Sequence, residues 1–96
     1  MRYSALLVLA AALVAEAAPQ DNCNHGLAYC GLGLLRKGNY YSDIINSLNN
    51  AHQSTDQDHV NFSLFLCSGD DDVPFRQYCG PGRCVDGGRG VSDYCS

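Results

Sequence analysis

Residues 40–52 read Tyr-Tyr-Ser-Asp-Ile-Ile-Asn-Ser-Leu-Asn-Asn-Ala-His and have the spacing of an amphipathic helix. Apolar side chains recur every three or four residues, with serine, asparagine and aspartate between them, so one helical face is apolar. Asn39 precedes the stretch as a candidate N-cap, and Asp43 falls in the first turn, where a carboxylate suits the helix dipole. The pattern predicts one helix over residues 40–52.

Strands are predicted on both sides of this helix. Residues 28–34 alternate apolar side chains with Tyr29 and two glycines, which indicates a strand with one apolar face. The two glycines flatten its other face, and a helix of the same chain is favoured over a partner protein as the element that approaches there. Residues 36–39 are predicted to form a solvent-exposed turn, an interpretation preferred over a processing site at the dibasic pair.

The chain after the helix adds two further strands. Residues 60–66 alternate and predict a strand whose inward face is Val60, Phe62, Leu64 and Leu66. Residues 73–77 predict a shorter strand, which Pro74 would begin or place at an edge. The expected fold is a small α+β domain, with one amphipathic helix packed on a short antiparallel sheet of about three to four strands.

The cysteines indicate how such a small domain is held together. An even number of cysteines in a short exported chain predicts three disulfides, although their spacing does not select a connectivity. A core of this size rarely supplies more than ~3–5 kcal/mol, and each disulfide contributes about 2–4 kcal/mol, so reduction is expected to unfold the protein. The six residues concerned are Cys23, Cys30, Cys67, Cys79, Cys84 and Cys95.

The N-terminus has the pattern of a signal peptide. A basic residue at position 2, an apolar run over residues 5–15 and the small residues around Ala17 predict a signal peptide over residues 1–17. The run is shorter than the ~20 residues of a membrane span. Residues 18–96 are then a single disulfide-rich domain that is secreted to the extracellular space.

The charge excludes some classes of partner. The formal net charge is -4, which argues against nucleic-acid binding through counterion release. The chain has no basic amphipathic helix, which argues against stable membrane insertion. A monomer that binds an unidentified host or extracellular protein or glycan is expected.

No pattern in the chain favours an enzyme or a cofactor. His25, His52 and His59 match no common zinc spacing, and residues 70–72, three aspartates, lack the ligand pattern of an EF-hand. The cysteines are better explained as disulfides than as nucleophiles. We therefore expect no catalytic residue, no cofactor and no metal.

One modification motif is present. Asn61-Phe62-Ser63 is an N-glycosylation sequon. On the predicted strand, Asn61 and Ser63 share the more polar face, but Phe65 and Cys67 lie on the same face and could cover it. The sequence leaves occupancy of Asn61 open.

The glycine-rich residues 80–90 are the candidate binding surface. Flanking cysteines would staple this loop, and Arg83, Arg89, Tyr78 and Tyr94 are the candidate binding side chains. The alternative is that the glycines merely permit tight turns between disulfides.

Several segments have a distinctive order of cysteine, glycine and tyrosine: Cys23-Asn24-His25-Gly26-Leu27-Ala28-Tyr29-Cys30-Gly31, Gly38-Asn39-Tyr40-Tyr41-Ser42-Asp43-Ile44, Tyr78-Cys79-Gly80, Gly87-Gly88 and Ser92-Asp93-Tyr94-Cys95. They resemble segments of small cysteine-rich secreted proteins of filamentous fungi, a group with many candidate effectors of plant-associated species. The resemblance implies secretion, disulfides and action outside the fungal cell, often at a plant interface. Some such proteins share an α/β fold with secreted fungal killer toxins.

The resulting hypothesis is a secreted fungal effector-like interaction protein that acts at a plant host interface by binding rather than catalysis. One alternative is a small killer-toxin-like or antimicrobial protein. A second is a protease inhibitor that inserts Arg83 or Arg89 from the stapled loop.

Overall fold

The computed structural model describes residues 22–96, so the signal peptide predicted at residues 1–17 lies outside the described residues. The described chain is an α+β disulfide-rich domain, which confirms the predicted fold class. Its elements, in chain order, are β1 (Ala28–Cys30), α1 (Gly31–Lys37), α2 (Tyr41–Asn50), α3 (Gln57–Asn61), β2 (Ser63–Leu66), β3 (Phe75–Tyr78), β4 (Cys84–Val85) and β5 (Tyr94–Cys95).

The strands form two antiparallel sheets. The larger has the order β1-β2-β3, with Tyr29 opposite Phe65 and Leu64 opposite Cys30. A bulge between Leu64 and Phe65 shifts the register toward β3. Strands β4 and β5 pair separately as a two-stranded sheet. As an edge strand that begins directly after Pro74, β3 fits the predicted role of that proline.

Helix α2 supplies the centre of the core, as its periodicity predicts. Ile44 and Leu48 on its apolar face are fully buried with Phe65 of the sheet. Burial of each such side chain stabilises the fold by ~1.5–3 kcal/mol. The helix ends at Asn50, and its N-cap is Tyr40 rather than Asn39. Asn39 therefore does not cap the helix as expected.

The strand predicted over residues 28–34 is wrong beyond Cys30. From Gly31 the chain is helical, and Gly31 and Leu34 lie on its buried face. A Cβ atom at Gly31 would overlap the carbonyl oxygen of Val60 in α3. Helix α1 thus packs directly against the backbone of α3, a contact that only glycine permits. Of the two glycines where a close approach was expected, only Gly31 shows it, from a helix of the same chain; at Gly33 the nearest atom is an Asp93 carboxylate oxygen at 3.7 Å.

Helix α1 also includes two residues predicted to form a turn. Arg36 and Lys37 occupy its last helical turn, where positive charge suits the helix dipole. Only the short segment around Gly38 connects α1 to α2.

The strand predicted over residues 60–66 is likewise only half correct. Asp56 caps α3 by accepting a hydrogen bond from the His59 backbone N–H at 2.8 Å, so Asn61 is helical and the strand starts at Ser63. The predicted inward face of the strand is confirmed only in part. Val60 and Leu64 are buried as expected, but Phe65, expected on the more polar face, is fully buried as well and packs in the core with the helices.

The three disulfides expected from the even cysteine count are present, and all six cysteines are paired. Cys23–Cys67 ties the N-terminal segment to the end of β2. The bond Cys30–Cys84 attaches the β4–β5 sheet to β1, and Cys79–Cys95 attaches it to the end of β3. The small second sheet is therefore anchored covalently at two points. Within residues 22–96 no helix combines the length and apolar character needed to cross a membrane.

Candidate functional site

A cavity of about 330 Å³ opens between β1, the end of α1 and the C-terminal segment. This volume falls at the lower end of the range typical of small-molecule binding sites. Six of its lining residues carry the charges and the aromatic surface: Tyr29, Arg36, Lys37, Asp86, Arg89 and Asp93.

One wall of this cleft is a loop over residues 87–92, which we call the Arg89 loop. Its neck is narrow, because a Cβ atom at Gly87 would overlap the carbonyl oxygen of Ser92. At its tip, the Val91 N–H donates to the Gly88 carbonyl at 3.2 Å. Gly90, third in this turn, has φ +74°, as a type II turn requires. The turn places Arg89 at the exposed tip of a short, well-defined loop.

Asp93 holds the loop against the rest of the domain. One carboxylate oxygen accepts the Cys30 N–H at 2.8 Å, and the other accepts the Gly87 N–H at 2.8 Å. The Asp93 N–H in turn donates to the Ala28 carbonyl at 2.9 Å. The side chain is only 8% exposed, and its charge also lies near the N-terminus of α1, which favours an anion. Asp93 therefore has a positioning role at the base of the cleft.

The cationic side chains of the cleft lack such partners. Among residues 22–96, Arg36, Lys37 and Arg89 form no ion pair. The exposed carboxylate of the cleft, Asp86, accepts the backbone N–H of Gly88 at 2.8 Å, so, like the Asp93 carboxylate, it is turned toward the main chain.

The positively charged side chains of the described residues are concentrated at this cleft. Three of the five lysine and arginine residues within 22–96 line the one cleft, although the whole chain is acidic. The Lys37 Nζ lies 5.8 Å from the ring centre of Tyr29, within cation–π range. The Tyr29 hydroxyl accepts the Asn24 N–H at 2.8 Å, which fixes the ring. The cleft thus has three cationic side chains, two carboxylates that accept backbone N–H groups, and one aromatic wall.

The four binding residues predicted from the sequence do not form one site. Arg89 lines the cleft, whereas Arg83 donates through Nη2 to the Ser96 carbonyl at 2.8 Å. Tyr78 stacks on the ring of His59 with their centres 3.9 Å apart. Tyr94 is exposed on β5 and pairs with Val85.

The sequence does not predict a binding role for the other cleft residues. It indicates Arg36 and Lys37 only as a dibasic pair in a turn, and Tyr29 only as part of a strand. Recognition of α1 as a helix with a basic last turn was the available signal for the first two. No local signal identifies Asp93, because its partner Cys30 is 63 residues away.

Negative charge gathers elsewhere. The pKa of Asp43 is raised by partial burial and then by the nearby Asp71 and Asp72 carboxylates. The pKa of Asp56 is lowered, first by the backbone hydrogen bond from His59 and then by its side-chain hydrogen bond.

In the part of the chain that the structure describes, no three His, Cys, Asp or Glu side chains are grouped to hold a metal ion.

Comparison of the chain with protein-family models, with curated proteins and with solved structures finds no match.

Proposed function

We propose that this protein is a secreted, non-enzymatic binding protein of the fungal effector-like kind, which acts outside the producing cell at a plant host interface. Its cleft recognises anionic groups on an extracellular protein or glycan. One observation carries this proposal: Arg36, Lys37 and Arg89 surround a single cleft and form no ion pair among residues 22–96.

The chemistry of these side chains suits an anion. The guanidinium groups of Arg36 and Arg89 present paired donors that match a carboxylate, sulfate or phosphate, while Lys37 adds a point charge. Like charges at the rim repel one another until an anion neutralises them, and the concave wall focuses their field. An anionic ligand is thus both attracted to the cleft and stabilised within it.

The construction of the cleft favours binding without large rearrangement. Asp93 fixes the Arg89 loop to β1, and Cys30–Cys84 joins the same strand to β4. Little ordering entropy is then lost on association, which raises affinity for a given set of contacts. Because Asp86 and Asp93 already accept backbone N–H groups, neither is held ready as a general base, which supports binding over catalysis.

The disulfides support the extracellular location. Three disulfides in a domain this small are characteristic of oxidising compartments and are rare in the cytosol. They also favour persistence among extracellular proteases, because cleavage requires local unfolding.

The conformation of the two candidate arginines disfavours a protease inhibitor. Proteases bind an inserted residue in an extended segment, but Arg89 lies within the tight turn Gly88–Val91. Arg83 ends a second turn that starts at Gly80, and its side chain is bonded to the Ser96 carbonyl. Stoichiometric inhibition of a trypsin-like protease that is lost in Arg83→Ala or in Arg89→Ala would instead show a protease inhibitor.

The proposal is tested by titrating ¹⁵N-labelled, oxidised protein with two anionic probes at low salt. One probe is an oligogalacturonate, which carries carboxylates on a glycan, and the other is an acidic peptide of equal charge. We expect amide shifts at residues 36–37 and 87–91. Arg89→Ala should weaken binding about tenfold, since a charged hydrogen bond contributes ~1.5 kcal/mol, and added salt should weaken it further.

Arg76→Ala is the matched control, because Arg76 is an exposed arginine of β3 outside the cleft and its loss changes the net charge equally. Equal weakening by Arg76→Ala would reduce the effect to overall charge. Absence of amide shifts with both probes would contradict anion binding in the cleft.

A further inference from the structure

Ser63, the first residue of β2, is unusual in its surroundings. It is fully buried, and among residues 22–96 its hydroxyl oxygen has no hydrogen-bond partner. A buried hydroxyl without a partner loses its hydration and gains nothing in return, so it destabilises the folded state. Alanine would occupy nearly the same volume without this cost. The hydroxyl therefore has no evident role in the folded domain.

The residue two positions earlier offers a role outside the folded domain. Asn61 ends α3 and is partly exposed. Its side-chain Oδ1 accepts a hydrogen bond from Nε2 of the exposed Gln57 at 3.0 Å. Its Nδ2 donates no hydrogen bond to the described residues, and Asn61 does not line the cleft. The amide nitrogen that a glycan would occupy is thus not used by the fold.

We propose that Asn61 is N-glycosylated on the nascent chain and that the hydroxyl of Ser63 serves this transfer. The sequon Asn61-Phe62-Ser63 has no proline at its middle position. The co-substrate is an oligosaccharide linked to a lipid diphosphate. A bond forms between Nδ2 and the anomeric carbon of the first sugar, the bond from that carbon to the diphosphate oxygen breaks, and the lipid diphosphate leaves. The proton lost from Nδ2 passes to a base of the transferase.

The burial of Ser63 sets the order of events. In the folded domain Ser63 pairs with Tyr78 in the sheet, and its hydroxyl is inaccessible to any enzyme. Transfer must therefore precede the pairing of β2 with β3. The attached glycan would extend from the end of α3 and leave the cleft open, so this modification is independent of the proposed anion binding.

The test is expression of the whole chain in a eukaryotic secretory host. The peptide that contains Asn61 is mapped by mass spectrometry in both medium and cell fractions, before and after an amidase that removes N-glycans and converts the asparagine to aspartate. We expect glycosylated Asn61 in the parent protein and in Ser63→Thr, and complete loss of the glycan in Ser63→Ala. An unmodified Asn61 in both fractions would overturn the proposal.

A second measurement addresses the folded state. In an Asn61→Gln background, where no glycan is attached and residue 61 is identical in both proteins, Ser63→Ala should unfold at a higher denaturant concentration than the protein with Ser63, because it removes a buried unpaired hydroxyl. An unchanged or lower midpoint would show that the buried hydroxyl does not destabilise the folded domain, which would contradict its assignment to glycan transfer. Asn61→Gln should leave the oligogalacturonate affinity unchanged, which separates this proposal from the function of the cleft.

Discussion

The buried carboxylate of Asp93 accepts a hydrogen bond at 2.8 Å from the backbone N–H of Cys30, which lies 63 residues earlier in the chain. Its second oxygen accepts the N–H of Gly87 at the neck of the Arg89 loop. The loop itself contains no cysteine. One side chain therefore joins the N-terminal strand, the start of α1 and the wall of the cleft where no disulfide can.

Replacement of this carboxylate should weaken the whole domain. We expect Asp93→Asn to lower the free energy of unfolding by about 2 kcal/mol, because the amide presents its NH₂ group to one of two N–H donors and loses the charge-assisted bond. Urea unfolding of the oxidised protein measures the change. The control is Asp86→Asn, which affects one exposed hydrogen bond to Gly88 and should change stability by less than about 0.5 kcal/mol. Equal losses in the two variants would contradict the assigned role of Asp93.

The two glycines of α1 should respond in opposite ways to the same substitution. In Gly31→Ala the new methyl group overlaps the backbone carbonyl of Val60, so α1 and α3 must separate, at a cost of about 3 kcal/mol or more. In Gly33→Ala the nearest atom is an Asp93 carboxylate oxygen at 3.7 Å, an ordinary contact. Alanine there should stabilise the helix by about 0.5–1 kcal/mol.

Thermal and denaturant unfolding of the two alanine variants check this pair. A Gly31→Ala protein as stable as the parent would show that α1 and α3 are not in backbone contact.

The contact between Gly31 and Val60 also explains why the sequence predicts some elements correctly and not others. Helix α2 is predicted correctly from its own periodicity, because the apolar side chains that it buries recur in consecutive turns of the same segment. Residues 28–34 fit both an alternating strand and, from Gly31, the start of a helix. The helix forms because Gly31 meets Val60 and Asp93 accepts the Cys30 N–H, and both partners are distant in sequence. Local pattern alone does not contain that information.

The candidate site shows the same division. Arg89 is recognisable from the glycines around it, since they indicate an exposed turn. Arg36 and Lys37 become its neighbours only when α1 folds against the C-terminal segment. Conversely, Arg83 and Tyr78 have the composition of binding residues, but the fold uses both internally, on the Ser96 carbonyl and on the ring of His59. Residue type indicates which side chains are able to bind a ligand, and tertiary structure decides whether each one contacts a ligand or another part of the same chain.

The disulfides should differ in their contribution to stability. Cys30–Cys84 spans 54 residues and Cys79–Cys95 spans 16. The loss of unfolded-chain entropy grows with loop length, which gives about 4 kcal/mol for the longer loop and about 3 kcal/mol for the shorter. We expect the double variant Cys79→Ala/Cys95→Ala to remain folded with reduced stability. Cys30→Ala/Cys84→Ala should lose more, since it also releases β4 from β1.

Denaturant unfolding, followed by near-ultraviolet circular dichroism, measures both double variants under identical conditions. A greater loss of stability from removing the shorter bridge would contradict the loop-length argument. Full reduction should unfold the domain, because the combined contribution of the three bridges exceeds the ~3–5 kcal/mol of a core this size.

The acidic residues near α2 give a prediction for pH dependence. The pKa of Asp43 is raised above its ordinary value, first by partial burial and second by Asp71. Asp71→Asn should therefore lower the pKa of Asp43 toward 3.8 without restoring it fully, because burial and Asp72 persist. Carboxyl ¹³C shifts of Asp43 followed through a pH titration measure this. Asp58→Asn removes an aspartate that does not contribute to the raised pKa of Asp43 and should leave that pKa unchanged.

The sign of the stability effect follows from linkage. A folded-state pKa above the unfolded value means that the folded protein binds the Asp43 proton more tightly, so ionised Asp43 lowers stability above that pKa. The penalty disappears as the pH falls through the folded pKa. Asp71→Asn should accordingly stabilise the protein at neutral pH by a few tenths of a kcal/mol, with solvent screening limiting the gain. The gain should shrink below the Asp43 pKa and in high salt. A gain that persists under both conditions would mean that charge repulsion at Asp43 is not its cause.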